Sequence, residues 1–306
     1  MIIVGFDWAR DKHDVCILNE EGAILHRGCV GHDPGALDEL SGRIAELEPD
    51  ETAVKVALEQ HDGGLLAWLL STGYTVYGIN PKSSERARDV YRPSGGKDDR
   101  TDAQVLADVL RCNLDRFKPM NAQSTETLEL RSLARLRMRL GAQKTSQLQR
   151  LRTILAEWSP VVSRLCNDFN RTWQRRLLQR WSLHEDLNAA HGNAVNAFFS
   201  AHRICAATRK KIMAARKAEA LFIPPGRKEA LRFEIAVILK QIDLLIEEID
   251  QLEVRLAESF ASHSNFNVFY SLPVKGVPTL SMICSAFGDR CKDPTHWRQL
   301  ASRWGV

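Results

Sequence analysis

Leu231, Ile235, Ile238, Ile242, Leu245, Ile249, Leu252 and Leu256 follow one another at alternating spacings of four and three residues. A helix turns once in about 3.6 residues, so this spacing lays all eight on one stripe, the a/d seam of a coiled coil. An apolar stripe of that length is not stable in water, and the fold must cover it with a partner helix or with a second copy of the chain. A partner candidate lies upstream. The helix predicted at about 124 to 157 carries Arg131, Arg135, Arg137, Arg139, Lys144, Arg150 and Arg152, with no acid between Glu129 and Glu157. A helix that needs only solubility mixes Glu with Lys and Arg for i,i+4 pairing, whereas a row without acids suits phosphate contact. Arg131, Arg135, Arg139, Lys144, Arg150 and Arg152 are therefore the predicted nucleic-acid contacts; an ordinary solvated face is the other use of such a row.

The first 119 residues carry a different pattern. Short runs rich in Val, Ile and aromatics at 2–8, 14–18, 24–30, 53–58 and 74–79 read as strands. Helical patterns at 35–47 and 63–71 alternate with the later strands, and Pro81 opens a further helix to about Val90. A meander followed by strand-helix alternation gives a mixed sheet with an α/β second half. The expected organisation is an α/β domain at 1–119, the basic helix at 120–159, a helical insertion at 160–225, the coiled-coil helix at 226–262 and a helical C-terminal part at 263–306. The insertion holds Trp173, Trp181 and two basic clusters, at 171–180 and 203–217, and ends at Pro224-Pro225-Gly226.

Charge divides the same way. Residues 1–120 hold 14 Lys/Arg against 21 Asp/Glu, leaving 28 basic and 17 acidic residues for the remainder. An acidic head on a basic body is what a nucleic-acid enzyme shows when carboxylates gather metal in one part and another holds phosphates. The N-terminus is too charged for a signal peptide and no run approaches the roughly 20 apolar residues of a membrane span, so a cytoplasmic protein with no membrane partner is expected. Seven scattered cysteines without a Cys-x-x-Cys pair exclude a zinc ribbon and a disulfide framework, and predict reduced, mostly core thiols.

Four acids sit where elements end or begin. Asp7 closes the first strand (IIVGFD), Glu59 closes the fourth (VKVALE), and Asp99 and Asp102 bracket the start of the helix TDAQVLADVL. Residues three apart in the first turn of a helix share a face, so Asp99 and Asp102 can address one site. Taken singly, each is also an ordinary strand-end or helix-capping carboxylate. Clustered, they suit phosphodiester cleavage with two Mg²⁺ ions about 4 Å apart, because hard octahedral Mg²⁺ takes oxygen ligands. Without a cation such a cluster would repel itself. His61 and Asp62 follow Glu59 closely, and Asp98 next to Asp99 makes the register ambiguous.

The phrases GFDWARDKHDV, ALEQHDGG, YGINP, KDDRTDAQVLA and SLPVKGVPTLSMICSAFGD resemble, in order and spacing, the insertion-sequence-110 class of DEDD transposases, relatives of Piv-type DNA invertases. The resemblance covers nearly the whole chain outside 160–225. It implies a RuvC-like, ribonuclease-H-like α/β domain with Asp7, Glu59, Asp99 and Asp102 as catalytic, Mg²⁺-binding acids. It further implies an all-α coiled-coil region and a helical C-terminal transposase domain, partial in this sequence. The activity implied is cutting and rejoining DNA in a bacterial or archaeal cytoplasm, guided by a structured RNA, in a homo-oligomer (dimer or tetramer). Family members carry a serine nucleophile in a segment beyond the equivalent of ASRWGV; no serine of these 306 residues is carried over to that role, so the chain alone is expected to lack strand transfer. A nucleic-acid-binding assembly protein with vestigial acids, or a junction-resolving metal-dependent nuclease, are the alternatives.

Overall fold

A computed structural model of the chain describes residues 1–59, 63–91 and 99–289, with the backbone alone at 88–91 and 99–101. It divides into two compact units, Met1–Ala122 and Gln123–Val306.

The first unit opens with β1 (Ile2–Asp7), β2 (Lys12–Asn19) and β3 (Ile24–Gly31), an antiparallel meander. Gly22, at φ 89°, takes the left-handed position of the β2–β3 turn that a Cβ would penalise. Helix α1 (Pro34–Leu47) starts where the Asp33 side chain accepts the Ala36 N–H at 3.0 Å and Pro34 fixes the first helical φ. Then follow β4 (Val54–Leu58), α2 (Gly64–Ser71), β5 (Thr75–Gly78), α3 (Pro81–Tyr91) and α4 (Asp99–Cys112). The strand order is β3-β2-β1-β4-β5, with β1, β4 and β5 parallel to one another. This is the mixed α/β sheet, with helices on both faces, expected from the sequence.

Side chains alternate between the two faces of a strand, and here each face has its own core. Val4, Phe6, Val15, Ile17, Val56 and Leu58 pack on α1 and α2 through Leu40, Ile44, Leu65 and Leu69. The odd positions of β1 and β4, with Cys16 and Leu18 of β2, face α4 through Ala103, Leu106, Ala107 and Leu110. On that face Gly5 is required: a Cβ there would lie 1.9 Å from the Ala103 carbonyl oxygen and 2.8 Å from the Ala107 nitrogen. Helix α4 therefore rests directly on the backbone of β1. Its C-terminal Arg111 reaches the Glu20 carbonyl at 3.4 Å, at the β2–β3 turn, so its N-terminal turn lies at the opposite end, where β1 finishes.

The second unit is helical. Helix α5 (Thr125–Trp158) is followed by α6 (Pro160–Leu165), α7 (Thr172–Arg180), α8 (His184–Ala189), α9 (Gly192–Ala201) and α10 (Ala206–Lys217), then by α11 (Pro225–Ser262), α12 (Phe266–Tyr270) and α13 (Val277–Phe287). α5 and α11 run antiparallel. Leu148, Leu151 and Leu155 of α5 share one core with Leu231, Ile235 and Ile238 of α11 and with the insertion helices. At the other end Leu130 and Ala134 meet Leu256 and Phe260 beneath α12 and α13. Seven of the eight seam residues are buried, and Leu245 is half-buried. Among the described residues no helix is long and apolar enough to cross a membrane. The thiols depart from expectation: Cys16, Cys166 and Cys284 are buried, but Cys29, Cys112 and Cys205 are exposed.

Candidate active site

Asp7 is the last residue of β1, and the final register pair between β1 and the parallel β4 is Phe6 with Leu58. Asp7 and Glu59 are thus the next pair, at the carboxyl ends of adjacent parallel strands and, by alternation, on the α4 face. The carboxyl edge of parallel strands is where open α/β sheets bind ligands. Asp102 stands in the first turn of α4, one residue before the Ala103 carbonyl that presses on Gly5. All three acids are half-buried. Asp99 opens α4, but its side chain lies outside the described residues, as do Asp98, His61 and Asp62. Among the described residues, no group of three or more His, Cys, Asp or Glu side chains is arranged to hold a metal ion.

The surroundings of these acids contain groups that spacing alone does not reveal. The fully buried hydroxyl of Ser84, on α3, donates a short hydrogen bond to Glu59 Oε1 and lies 2.9 Å from the Pro81 carbonyl. Asp14 is the cross-strand partner of Asp7 in the β1–β2 ladder. On the opposite face His13, fully buried, has its Nε2 at 2.8 Å from His32 Nδ1, and the Ala9 N–H approaches its Nδ1 at 3.4 Å. A ring nitrogen that accepts is unprotonated, so His13 carries its proton on Nε2 and donates to His32. Burial, and secondarily His32, hold His13 below the usual histidine range. This pair fastens the turn that follows Asp7. Only the run DKHDV hinted at it, since His32 lies 19 residues away.

The basic row of α5 divides in two. Arg150 pairs with Glu234 of α11 at 2.9 Å, Arg137 with Glu253 at 2.9 Å, and Arg131 donates twice to the Ser285 carbonyl, at 3.1 and 3.0 Å. For Arg137 and Arg150, α11 supplies across the helix pair the acids that the stretch between Glu129 and Glu157 lacks, so the expectation of an unpaired row is corrected for part of it. Arg135 and Arg139 are exposed, while Lys144 and Arg152 are half-buried; Arg139, Lys144 and Arg152 form no ion pair among the described residues. A second polar network closes the far end of the unit. Asp289 accepts from the Ser124 N–H at 2.6 Å and from the Thr127 hydroxyl at 2.9 Å, and Thr127 Oγ1 lies 2.9 Å from His263 Nε2. Those hydrogen bonds to its carboxylate draw Asp289 below the usual range although burial opposes them.

The family model described as "Transposase", for the DEDD class of insertion sequence 110, matches residues 4–160. The chain belongs to this transposase family. The match includes all four acids and the whole of α5. Among transposase-type relatives, y4uE of Sinorhizobium fredii is 30% identical over 181 residues, covering 58% of this chain and 49% of its own length. The mini-circle IS117 protein of Streptomyces coelicolor is 24% identical over 317 aligned positions, covering 99% of this chain and 75% of its own. The chain thus aligns with about half the length of the first relative. Among solved structures it is similar to Thermus thermophilus RuvC in complex with a Holliday junction substrate, at 16% identity over 39% of this chain and 99% of that one, with a TM-score of 0.29.

Proposed function

We propose that this transposase-family chain cuts and rejoins DNA of a mobile element at a Mg²⁺-dependent site formed by Asp7, Glu59, Asp99 and Asp102. The observation that carries the reading is the end-on register of Asp7 and Glu59 on adjacent parallel strands, with Asp102 drawn to the same end by the contact of α4 with Gly5. An all-carboxylate donor set suits a hard divalent cation and would suit few others. When bound, such ions activate the attacking oxygen and stabilise the leaving oxygen of a phosphodiester. The protein's own part is orientation: Ser84 fixes one oxygen of Glu59, and α4 holds Asp102 on a rigid element. Arg139, Lys144 and Arg152 are assigned to phosphate contact with DNA or with a structured guide RNA, together with Arg135; Arg150 contributes mainly to the α5–α11 pair and Arg131 to the contact of α5 with α13. The homo-oligomer is assigned to a different face from the one the heptads suggested. The seam is filled within the chain by α5, whereas Phe233, Val237, Leu244 and Val254 form an exposed apolar row on the other side of α11, fit for a second copy.

The chemistry is tested at Asp102. Asp102→Asn keeps size but removes one negative charge. The substitution should abolish Mg²⁺-dependent DNA cleavage while the melting temperature is retained. Near wild-type cleavage by a folded Asp102→Asn protein would reduce the acid to a structural residue of the first turn of α4 and remove it from the site.

A further inference from the structure

We infer that the helical insertion carries a second nucleic-acid surface, centred on α10, that docks in the major groove of duplex DNA. The inference rests on the reading of DNA as the substrate, but it concerns residues that neither the carboxylate site nor the α5 row uses. Between Asp186 and Glu219 the chain has no acidic residue, and six arginines and lysines fall between Arg203 and Lys217. The structure sorts these six by what they do. Arg209 donates to the Ile204 carbonyl at 2.7 Å and its guanidinium lies over the Phe199 ring; Arg216 donates to the carbonyls of Leu187 and Ala190. These two build the insertion. Arg203, Lys210, Lys211 and Lys217 are exposed and form no ion pair among the described residues.

The free cations share a face. At about 100° per residue, Ala206, Ala207, Lys210, Lys211, Ala214 and Lys217 lie on one side of α10, opposite Ile212, which is fully buried. Alanine methyls between lysines give a narrow, uncluttered ridge whose backbone can approach a groove while the ammonium groups reach its phosphate walls. A helix of this length, about 18 Å, fits the roughly 12 Å wide major groove of B-form DNA; the deep, narrow major groove of A-form RNA does not admit it. The link to α9 supplies an independent sign. Arg203 sits at φ 49°, the one described non-glycine residue with positive φ, where the Ile204 N–H closes the helix end onto the Phe199 carbonyl at 3.0 Å. Glycine would take that position at less cost. A strained position that keeps an exposed cation at the mouth of an acid-free helix points to a use for the charge.

Binding of the full 306-residue chain to a labelled duplex of about 30 base pairs, in EDTA across a KCl series, tests the proposal without reference to catalysis, so failure of the carboxylate reading would leave the result unchanged. The triple variant Lys210→Gln, Lys211→Gln, Lys217→Gln should weaken Kd at least about tenfold near 0.1 M KCl and lower the salt slope by roughly 0.9 per lost phosphate contact. Arg203→Gly should raise or keep the melting temperature and still weaken binding several-fold, a separation that a purely structural role does not give. Unchanged Kd and slope in the folded triple variant would overturn the proposal. So would a loss confined to a base-paired RNA hairpin, with duplex DNA binding intact.

Discussion

Gly5 shows how one residue sets the position of several others. Its missing side chain lets the Ala103 carbonyl meet β1, and the turn of α4 that carries Asp102 follows from that contact. A methyl group cannot be accommodated by a neighbouring rotamer change, because the obstructing atoms are backbone. Gly5→Ala should therefore cost about 1–3 kcal/mol, the range for overpacking a core, and displace the N-terminal turn of α4. Chemical denaturation measures the first effect. The second is checked by divalent-cation titration calorimetry, where affinity should fall even at temperatures at which the variant is fully folded; wild-type affinity would uncouple the glycine from the acids. Asp7 was legible as the acid that closes the run IIVGFD, but the role of Gly5 was not, because the Ala103 carbonyl that meets it belongs to a distant helix. Ser84 was not. Its contact with Glu59 depends on the path from Pro81, 25 residues from Glu59 to Ser84, and no local spacing encodes it.

At the scale of elements, the long helices report what periodicity can and cannot convey. The 4-3 spacing located the stripe on α11 and its direction of packing, because burial of a seam is a property of the helix itself. The fate of the arginines on α5 was hidden, because Glu253 lies 116 residues from Arg137 and Glu234 lies 84 residues from Arg150. A stretch of helix without acids looks unpaired until its neighbour is known. The pairing is also weaker than the seam. Arg150 is 58% exposed, so breaking its bridge with Arg150→Ala should change stability by less than about 1 kcal/mol. Ile238→Ala, which empties a buried seam position, should cost about 2–5 kcal/mol. Urea unfolding of the two variants decides between them, and the reverse order would make the ion pairs, not the apolar stripe, the principal hold on α5.

For the whole molecule, assembly follows from which apolar surface is left over. With the seam used internally, the remaining row of Phe233, Val237, Leu244 and Val254 is what a second copy would cover. Light scattering at tens of micromolar should give at least a dimer, and Leu244→Glu should return it to a single chain; a wild-type monomer at that concentration would exclude this face. The division of charge between the two units was visible in composition alone, whereas the internal use of the seam needed the fold. The insertion between α5 and α11 has one further consequence, for how such proteins diverge. It leaves and rejoins the helix pair at the same end, between Trp158 and Pro225, which makes it an easy module to gain or exchange. Yet it also roofs Leu148, Leu155, Leu231 and Ile238. Lineages that lose the module must bleach that end of its greasy residues in the same evolutionary step or tolerate a sticky intermediate, so module length and the polarity of those four positions should change together across the family.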